Sequence, residues 1–216
     1  MRCGWGALLA SCFCSVGCGS TAVDSEDCVQ FADQHSQTEF RVRFTNARSQ
    51  AGFVGMQTGC GSLEPIALQN AQAESQVLSL GDCGFGCERL QHSAAGCPAL
   101  CRIPEIIQIQ PGGHHDFVWS GTIYVQVAMP AACYRESGQA SATCAKSMIA
   151  PPGAYQVSGT LWPVADCSGA GGPCATCTPD SDGSCTISGG HVSGQGATKS
   201  ATLEVPASQS VELVFD

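Results

Sequence analysis

Charged and aromatic residues are scarce in this sequence, and basic residues are the scarcest. Of its 216 residues, 12% are charged and 6% are aromatic, with 9 Lys and Arg against 18 Asp and Glu. The formal net charge of −9 argues against a nucleic-acid partner, because phosphate binding requires clustered basic residues. Apolar runs are also short, and none reaches the roughly 18 residues of a membrane-spanning helix. The hydrophobic fraction of 44% is nevertheless too high for a disordered chain.

Motifs of the common enzyme classes are missing as well. The sequence has no G-x-S-x-G nucleophile elbow, no H-E-x-x-H metal motif and no P-loop. His114, His115 and Asp116 form a titratable cluster, but they follow a Gly-Gly turn, and adjacent strand residues point to opposite faces. We therefore expect both histidines to face solvent. A copper site with Met129 or Met148 lacks the Cys-x-His-x-Met spacing. The sequence predicts no catalytic residue, no metal and no other cofactor.

Cysteine and glycine, in contrast, are abundant, with 16 Cys and 26 Gly. So many cysteines indicate an oxidising compartment rather than the reduced cytosol. Beyond residue 18 the chain holds 12 cysteines, an even number that allows six disulfides. The disulfide candidates are Cys28, Cys60, Cys83, Cys87, Cys97, Cys101, Cys133, Cys144, Cys167, Cys174, Cys177 and Cys185.

The spacing of four of these cysteines is symmetric. Cys83, Cys87, Cys97 and Cys101 allow a nested pairing, 83 with 101 and 87 with 97. They equally allow a sequential pairing, 83 with 87 and 97 with 101. Spacing alone leaves both open, because many connectivities are compatible with one sequence.

A zinc site is the alternative for the C-terminal cysteines. Cys174 and Cys177 form a C-x-x-C motif, and Cys185 with His191 completes a Cys₃His ligand set on paper. No second C-x-x-C follows at zinc-ribbon spacing, and an oxidising compartment favours disulfides. We therefore predict disulfides here.

The N-terminus has the order of a secretory signal. Arg2 supplies the one positive charge, residues 3–16 carry none, and small residues follow. A basic start, an apolar stretch and a small-residue cleavage site define a signal peptide. The stretch is too short to be a transmembrane helix.

Residues 15–18 (Ser-Val-Gly-Cys) resemble the lipobox of bacterial lipoproteins. Residues 9–12 (Leu-Ala-Ser-Cys) match its letters better but leave only eleven residues before the cysteine. The resemblance implies lipid attachment at Cys18, with Cys12 as the alternative. Acyl chains that contribute about 0.8 kcal/mol per buried CH₂ would anchor the protein to the membrane. Gly19, where inner-membrane lipoproteins carry Asp, implies an outer-membrane location, with periplasmic or secreted protein as the alternative.

The chain is divided into three parts. Residues 1–18 are the predicted signal peptide with its lipobox. Residues 19–37 are polar and small, which is typical of a flexible tether, and Cys28 is expected to fix its end. Residues 38–216 are predicted to form one β-sandwich domain.

The clearest strand lies at residues 39–46, where apolar and polar side chains alternate strictly. A period of two is typical of a half-buried strand. Arg41 and Arg43 share its polar face, where they could form an anion site or simply a solvated surface.

Short apolar runs separated by turn residues continue along the chain. Strands are predicted at residues 62–69 and 76–80 as a hairpin, at 103–110, at 114–120 and 122–128 as a pair, and at 154–161, 201–205 and 210–215. For the hairpin segments, the Ala and Gln content leaves a short helix as the alternative. Residues 83–101 and 166–190 are rich in Gly or Cys and are predicted to be irregular loops. Many short strands without a helical period predict an all-β sandwich or barrel.

Three short motifs carry a further resemblance. Residues 111–112 (Pro-Gly), 117–121 (Phe-Val-Trp-x-Gly) and 152–157 (Pro-Gly-x-Tyr-x-Val) resemble the immunoglobulin-like sandwich of the bacterial intracellular proteinase inhibitors. The resemblance covers about residues 103–165. It implies an immunoglobulin-like β-sandwich with Trp119 and Tyr155 in its core, here with disulfides and long Gly- and Cys-rich loops.

Three functions are compatible with these features. The first is a lipid-anchored envelope protein whose sandwich binds an envelope protein or glycan, or is structural. The second is an exported protease inhibitor acting through a disulfide-braced loop, residues 134–143 or 168–184, held rigid to lower the entropic cost of binding. The third is a metal-binding protein using His114, His115 or residues 174–185. The sequence favours the first.

Overall fold

The computed structural model describes residues 26–58, 61–62, 64–81, 84–94, 96, 103–136, 143–167, 174 and 177–216. These residues are predominantly β-strand, which confirms the predicted all-β class. The strands are β1 (Phe40–Asn46), β2 (Gly52–Gly55), β3 (Gln57–Thr58), β4 (Gly61–Ser62), β5 (Ile66–Gln69), β6 (Ser75–Gln76), β7 (Glu105–Ile109), β8 (His114–Trp119), β9 (Thr122–Val127), β10 (Cys144–Ile149), β11 (Gly153–Leu161), β12 (Val164–Asp166), β13 (Ser184–Ser188), β14 (His191–Ser193), β15 (Ala197–Val205) and β16 (Ser210–Phe215).

The described residues also form short helices, α1 (Glu26–Val29), α2 (Cys87–His92) and a 3₁₀ turn (Ala131–Cys133). No helix within these ranges has the length and hydrophobicity to cross a bilayer. Helix α2 corrects the sequence prediction, which placed an irregular loop there. Cys87 and Leu90, three residues apart, are both buried on one side of this helix, so tertiary packing stabilises a helix too short to be read from periodicity.

Strand β1 is the centre of a three-stranded sheet with the order β16–β1–β8. The last strand, β16, runs parallel to it, and β8 runs antiparallel. Phe40, Val42 and Phe44 are buried, whereas Arg41 and Arg43 are exposed. The alternation in the sequence therefore predicted both the strand and its buried face correctly.

A second sheet, in the order β15–β11–β5–β6, faces the first. The β5–β6 hairpin confirms the hairpin predicted from the sequence. In β11 every second residue is buried, including Tyr155, Val157 and Leu161. These side chains pack against Trp119 and the apolar face of β1 in one hydrophobic core.

The two sheets are in close contact at Gly159 in β11. A Cβ atom built on Gly159 would lie 2.0 Å from Cζ of Phe44. The ring of Phe44 in turn lies 4.8 Å from that of Phe117 and 5.3 Å from that of Phe215, measured between centroids. A side chain at residue 159 would occupy the space of the central aromatic ring, so this packing requires glycine.

A third sheet, β13–β7–β2, is tied to the first by Asn46. The side chain of Asn46 is 0% exposed. Its Nδ2 donates to the carbonyls of Gln50 and Ile109, both at 2.9 Å. Its Oδ1 accepts from the amide of Arg48 at 3.1 Å. Both ends of the buried amide are thus satisfied, as a buried polar group requires.

Two sequence predictions about strands are wrong. Residues 166–190 contain a strand, β13, in which Cys185 and Ile187 are buried against β7. Strands β8 and β9 do not pair with each other, because β8 pairs with β1 and β9 with β10. Gly121 separates them with φ +72°, and this turn directs the chain out of the first sheet. Strand pairing is long-range information that local alternation does not contain.

Four disulfides join described cysteines: Cys28–Cys133, Cys87–Cys144, Cys167–Cys174 and Cys177–Cys185. The partner of Cys87 is Cys144, so the nested and the sequential pairings are both wrong for this residue. Cys60, Cys83, Cys97 and Cys101 lie outside the described residues, as do Cys12 and Cys18. Disulfides of this number indicate an oxidising compartment.

The Cys₃His zinc site is also not formed. Cys174 and Cys177 are bonded to Cys167 and Cys185, which removes the thiolates that zinc requires. Nε2 of His191 lies 3.6 Å from a carboxylate oxygen of Asp166 instead.

Residues 28–34, assigned to the tether from sequence, lie against the domain. Phe31 is buried. The amide of Gln34 donates to the carbonyl of Ser147 at 2.9 Å, and the amide of Ser147 donates to the carboxylate of Asp33 at 2.8 Å. The packed domain therefore extends at least as far toward the N-terminus as Cys28.

Candidate functional site

Strand β8 borders a groove of about 430 Å³ at the side of the sandwich. One wall is β8 itself. The opposite wall is formed by residues after β2, before and at the start of β5, and after β6, which are Met56, Glu64, Pro65, Ile66, Leu78 and Ser79. We refer to this feature as the β8 groove. It lies between the edges of the two facing sheets.

The strand edge along this groove is open. β8 pairs with β1 on one side, and no strand lies on its other side within the described ranges. The amide of His114 donates away from β1, to the carbonyl of Asp182, at 2.8 Å. Because successive residues of an antiparallel strand alternate in direction, Asp116 and Val118 also direct their backbone N–H and C=O groups away from β1. Within the part of the chain described, these outward groups form no backbone hydrogen bond.

His115 is half-buried, whereas the sequence predicted a solvent-facing side chain. Its Nδ1 lies 2.9 Å from Oγ of Ser184, whose hydroxyl lies 2.9 Å from Oδ1 of Asp182. Asp182 is acceptor-only when ionised, so the hydroxyl donates to it and accepts from Nδ1–H of His115. This arrangement leaves the lone pair on Nε2. Burial of the ring lowers the pKa of His115 below the ordinary value of 6.5.

Asp182 and Asp116, the carboxylates near His115, are held ionised. Burial raises the pKa of Asp182, but two hydrogen bonds from Ser184 outweigh it, and the pKa lies below its ordinary value. Asp116 accepts two hydrogen bonds from the guanidinium of Arg43, at 2.7 and 2.9 Å. This pair lowers the pKa of Asp116 and raises that of Arg43.

The Arg43–Asp116 pair favours the solvated-surface interpretation of the two arginines. A hollow of about 460 Å³ beside the pair is lined by both arginines, but also by Asp116 and Glu212. Opposite charges on one exposed face leave little net attraction for an anion. An exposed pair of this kind contributes little to the stability of a fold.

The shifted pKa of His115 predicts a pH-dependent stability. Since the folded pKa lies below 6.5, the unfolded chain takes up this proton first as the pH falls. Stability should therefore be complete above about pH 7 and decline as the pH falls through about 6.5. Urea denaturation between pH 7.5 and 5 measures the decline.

The matched variant is His115→Asn, which keeps an N–H donor for Ser184 but does not titrate. This variant should have a free energy of unfolding that does not change with pH above pH 5. Asp116 and Asp182, whose pKa values are lowered, lose their contributions only as the pH falls below about 4. A slope between pH 7.5 and 5 that persists in His115→Asn would contradict the assignment.

The residues considered for a copper site lie in different parts of the fold. No group of three or more His, Cys, Asp or Glu side chains placed to hold a metal occurs in the described ranges. Met129 is buried in the cluster around the Cys28–Cys133 and Cys87–Cys144 disulfides. His114 lies beside Thr45 in the β1–β8 register. The copper hypothesis thus gains no support from the arrangement.

Of the two loops considered for protease inhibition, the first has both flanks fixed. Cys133 is bonded to Cys28, and Cys144 to Cys87. The second contains the Cys177–Cys185 disulfide. Residues 137–142, 168–173 and 175–176 of these loops lie outside the described residues.

Sequence reasoning identified His115, Asp116 and the β8 strand but missed the rest of this site. Ser184, Asp182 and Glu64 come from distant parts of the chain, and nothing in their local sequence marks them. Comparison of the chain with known protein families, with characterised proteins and with solved structures gives no match.

Proposed function

We propose that this protein is an exported, lipid-anchored envelope protein whose β-sandwich is a binding module without catalytic activity. The observation that carries the proposal is the open edge of β8 beside a groove with an apolar wall. Exposed edges and grooves of this kind are used to bind partners. The disulfides support export, and the signal-like residues 1–18 with Cys18 support lipid attachment at the outer membrane.

The sandwich is proposed to be immunoglobulin-like. The hydroxyl of Tyr155 donates to the carbonyl of Pro151, four residues upstream, at 2.9 Å. A tyrosine that bonds back to the preceding backbone at a sheet corner is a hallmark of such sandwiches. Trp119 is buried in the same core, with its Nε1 donating to the carbonyl of Thr122 at 2.8 Å.

The arrangement around His115 supports binding rather than catalysis. The hydroxyl beside it belongs to Ser184, which is 3% exposed. That hydroxyl already donates to Asp182. A nucleophilic serine needs an accessible oxygen and a base that removes its proton, and this one is buried and directed at a carboxylate.

Lipid attachment is tested by expressing the full chain in a Gram-negative host with labelled palmitate. Cys18→Ala is expected to abolish labelling and release the protein from the membrane fraction, because the thiol is the acylation site. Cys12→Ala is the matched control and should remain labelled and membrane-bound. Mass spectrometry of the mature N-terminus gives the attachment residue directly.

Two results would contradict this assignment. One is an unmodified mature N-terminus at residue 19 or later. The other is loss of label in Cys12→Ala with labelling retained in Cys18→Ala, which would transfer the anchor to Cys12.

A protease inhibitor is the second candidate function. It is favoured by the two disulfides that fix the flanks of residues 134–143, because a rigid loop binds a protease at lower entropic cost. An inhibition assay against serine, cysteine and metalloproteases tests it. Rapid cleavage of this loop without inhibition would eliminate the candidate.

A further inference from the structure

We propose that the open edge of β8 and the β8 groove bind an extended segment of an exported partner protein, which adds as a fourth strand to the β16–β1–β8 sheet. Side chains at alternate positions of the segment enter the groove. They are apolar except for one Lys or Arg that faces Glu64. The inference rests on the proposed function only in taking the domain as a binding module, and its test is independent of the lipid anchor.

The edge of β8 lacks the features that normally block strand addition. Natural sheets protect exposed edges with Pro, Lys, inward charges or bulges. The sequence of β8, HHDFVW, contains no Pro or Lys, and its register with β1 is unbroken. Its acidic residue, Asp116, is bonded to Arg43 of β1 and is thus held toward β1 rather than across the edge. Val118 is 57% exposed next to the open backbone groups.

The groove matches one face of an added strand. β8 has six residues, and an extended segment of equal length spans about 20 Å. Its backbone would bond to the outward groups of Asp116 and Val118, and every second side chain would enter the groove. The apolar part of the opposite wall there consists of Met56, Ile66 and Leu78. Strand addition obtains affinity from main-chain bonds and specificity from pockets for alternate side chains.

The charge of the groove selects a basic segment. Glu64 lies in the opposite wall, and no Lys or Arg is among the groove's described lining residues. Glu64 has no hydrogen bond or ion pair within the described ranges. Asp116 adds no net charge because Arg43 neutralises it. A Lys or Arg on the incoming segment would complement Glu64, and the net charge of −9 on the whole chain would attract it at longer range.

The probe is the fluorescein-labelled peptide Val-Thr-Val-Thr-Lys-Thr with blocked ends, titrated against the full mature, oxidised protein and followed by anisotropy. Saturable binding is expected. Val118→Pro removes an outward N–H without breaking a bond to β1, and it should weaken binding by about tenfold or more. Far-UV circular dichroism and thermal unfolding verify that the variant is folded.

Val214→Pro is the matched control at the opposite edge of the same sheet. The carbonyls of Gln209 and Phe215 accept from β1 and the residue that follows it, so the N–H of Val214 also points outward. Val214 is 45% exposed. This variant should change the affinity by less than about twofold. Equal weakening by both proline variants, or by Val214→Pro alone, would overturn the proposal.

Two further measurements do not depend on the proline variants folding. Two further peptides are N-methylated, one at its three Thr and the other at the remaining three residues. Only the peptide that is methylated on the N–H groups facing β8 should fail to bind. Glu64→Gln should weaken the Lys peptide about three- to fivefold and leave a Lys→Gln peptide unchanged. Absence of wild-type binding, indifference to both methylated sets, or indifference to Glu64→Gln would overturn the proposal.

A second copy of this chain is the competing occupant. Sedimentation equilibrium of the protein alone is expected to show a monomer. A dimer that dissociates when Val118 is replaced by Pro would show that a second copy of this chain, and not a partner segment, pairs with β8. If palmitate labelling fails while the peptide still binds, the lipid anchor is disproved and the strand-addition proposal is unaffected. The two proposals can therefore fail independently.

Discussion

Replacing both Cys28 and Cys133 by Ala is expected to lower the free energy of unfolding by about 4–5 kcal/mol. The two residues are separated by 105 positions in sequence, and their Cα atoms lie 5.5 Å apart. A cross-link that closes so long a loop removes much of the entropy of the unfolded chain. Guanidinium denaturation of the oxidised proteins, followed by tryptophan fluorescence, measures the loss.

The control is the corresponding double variant of Cys167 and Cys174, which are separated by only 7 positions. The same relation gives about 2.5 kcal/mol for this short loop. Cys28 and Cys133 are also both 1% exposed, so truncation leaves a void that adds to the larger loss. Equal losses in the two double variants would show that loop length does not govern the contribution of these disulfides.

Gly159→Ala is expected to lower the free energy of unfolding by about 3 kcal/mol. The added Cβ would meet the ring of Phe44 at 2.0 Å, and that ring is fixed by Phe117 and Phe215. The central strand β11 is paired on both sides and has little freedom to withdraw. Chemical denaturation measures the change, and loss of near-UV circular dichroism would accompany it.

Gly96→Ala is the matched control, because a Cβ atom there meets nothing within 4 Å. It should alter stability by no more than about 0.5 kcal/mol. Phe44→Leu in the Gly159→Ala background should recover part of the loss, since the smaller side chain leaves space for the new methyl group. Strict additivity of the two substitutions would contradict the close contact.

Local alternation correctly predicted β1 and β11, each of which buries one clear face. Phe40, Val42 and Phe44 alternate with arginines and threonine, and β1 lies where expected. The strand predicted at residues 154–161 likewise corresponds to β11. In both segments, side chains two residues apart point to the same side, so a buried face appears in the sequence as alternating apolar and polar residues.

The failures occur where structure depends on distant residues. β13 lies in a Gly- and Ser-rich stretch and forms because Ile187 and Cys185 pack against β7. Helix α2 is held by the disulfide from Cys87 to Cys144, 57 positions away. Cys185 and Ile187 do alternate with exposed residues in β13, but this run is too short to mark a strand within a Gly- and Ser-rich stretch. Helix α2 is likewise too short to show a helical period, since a short element is stabilised mainly by what it packs against.

The candidate site could be predicted only in part for the same reason. The sequence identified His115 and Asp116 as a titratable cluster but placed His115 in solvent. Its hydrogen bond to Ser184 joins residues 69 positions apart. The opposite wall of the β8 groove comes from residues in or next to three other strands, which no motif connects.

The sequence by itself determined the oxidising compartment, the all-β class and the buried face of the main strands. Each of these follows from composition or from neighbours two residues apart. Only the tertiary structure decided the disulfide partners, the parallel contact of the first and last strands and the open edge of β8. These depend on contacts between segments far apart in sequence, and the entropic cost of bringing such segments together is offset only when the whole core forms.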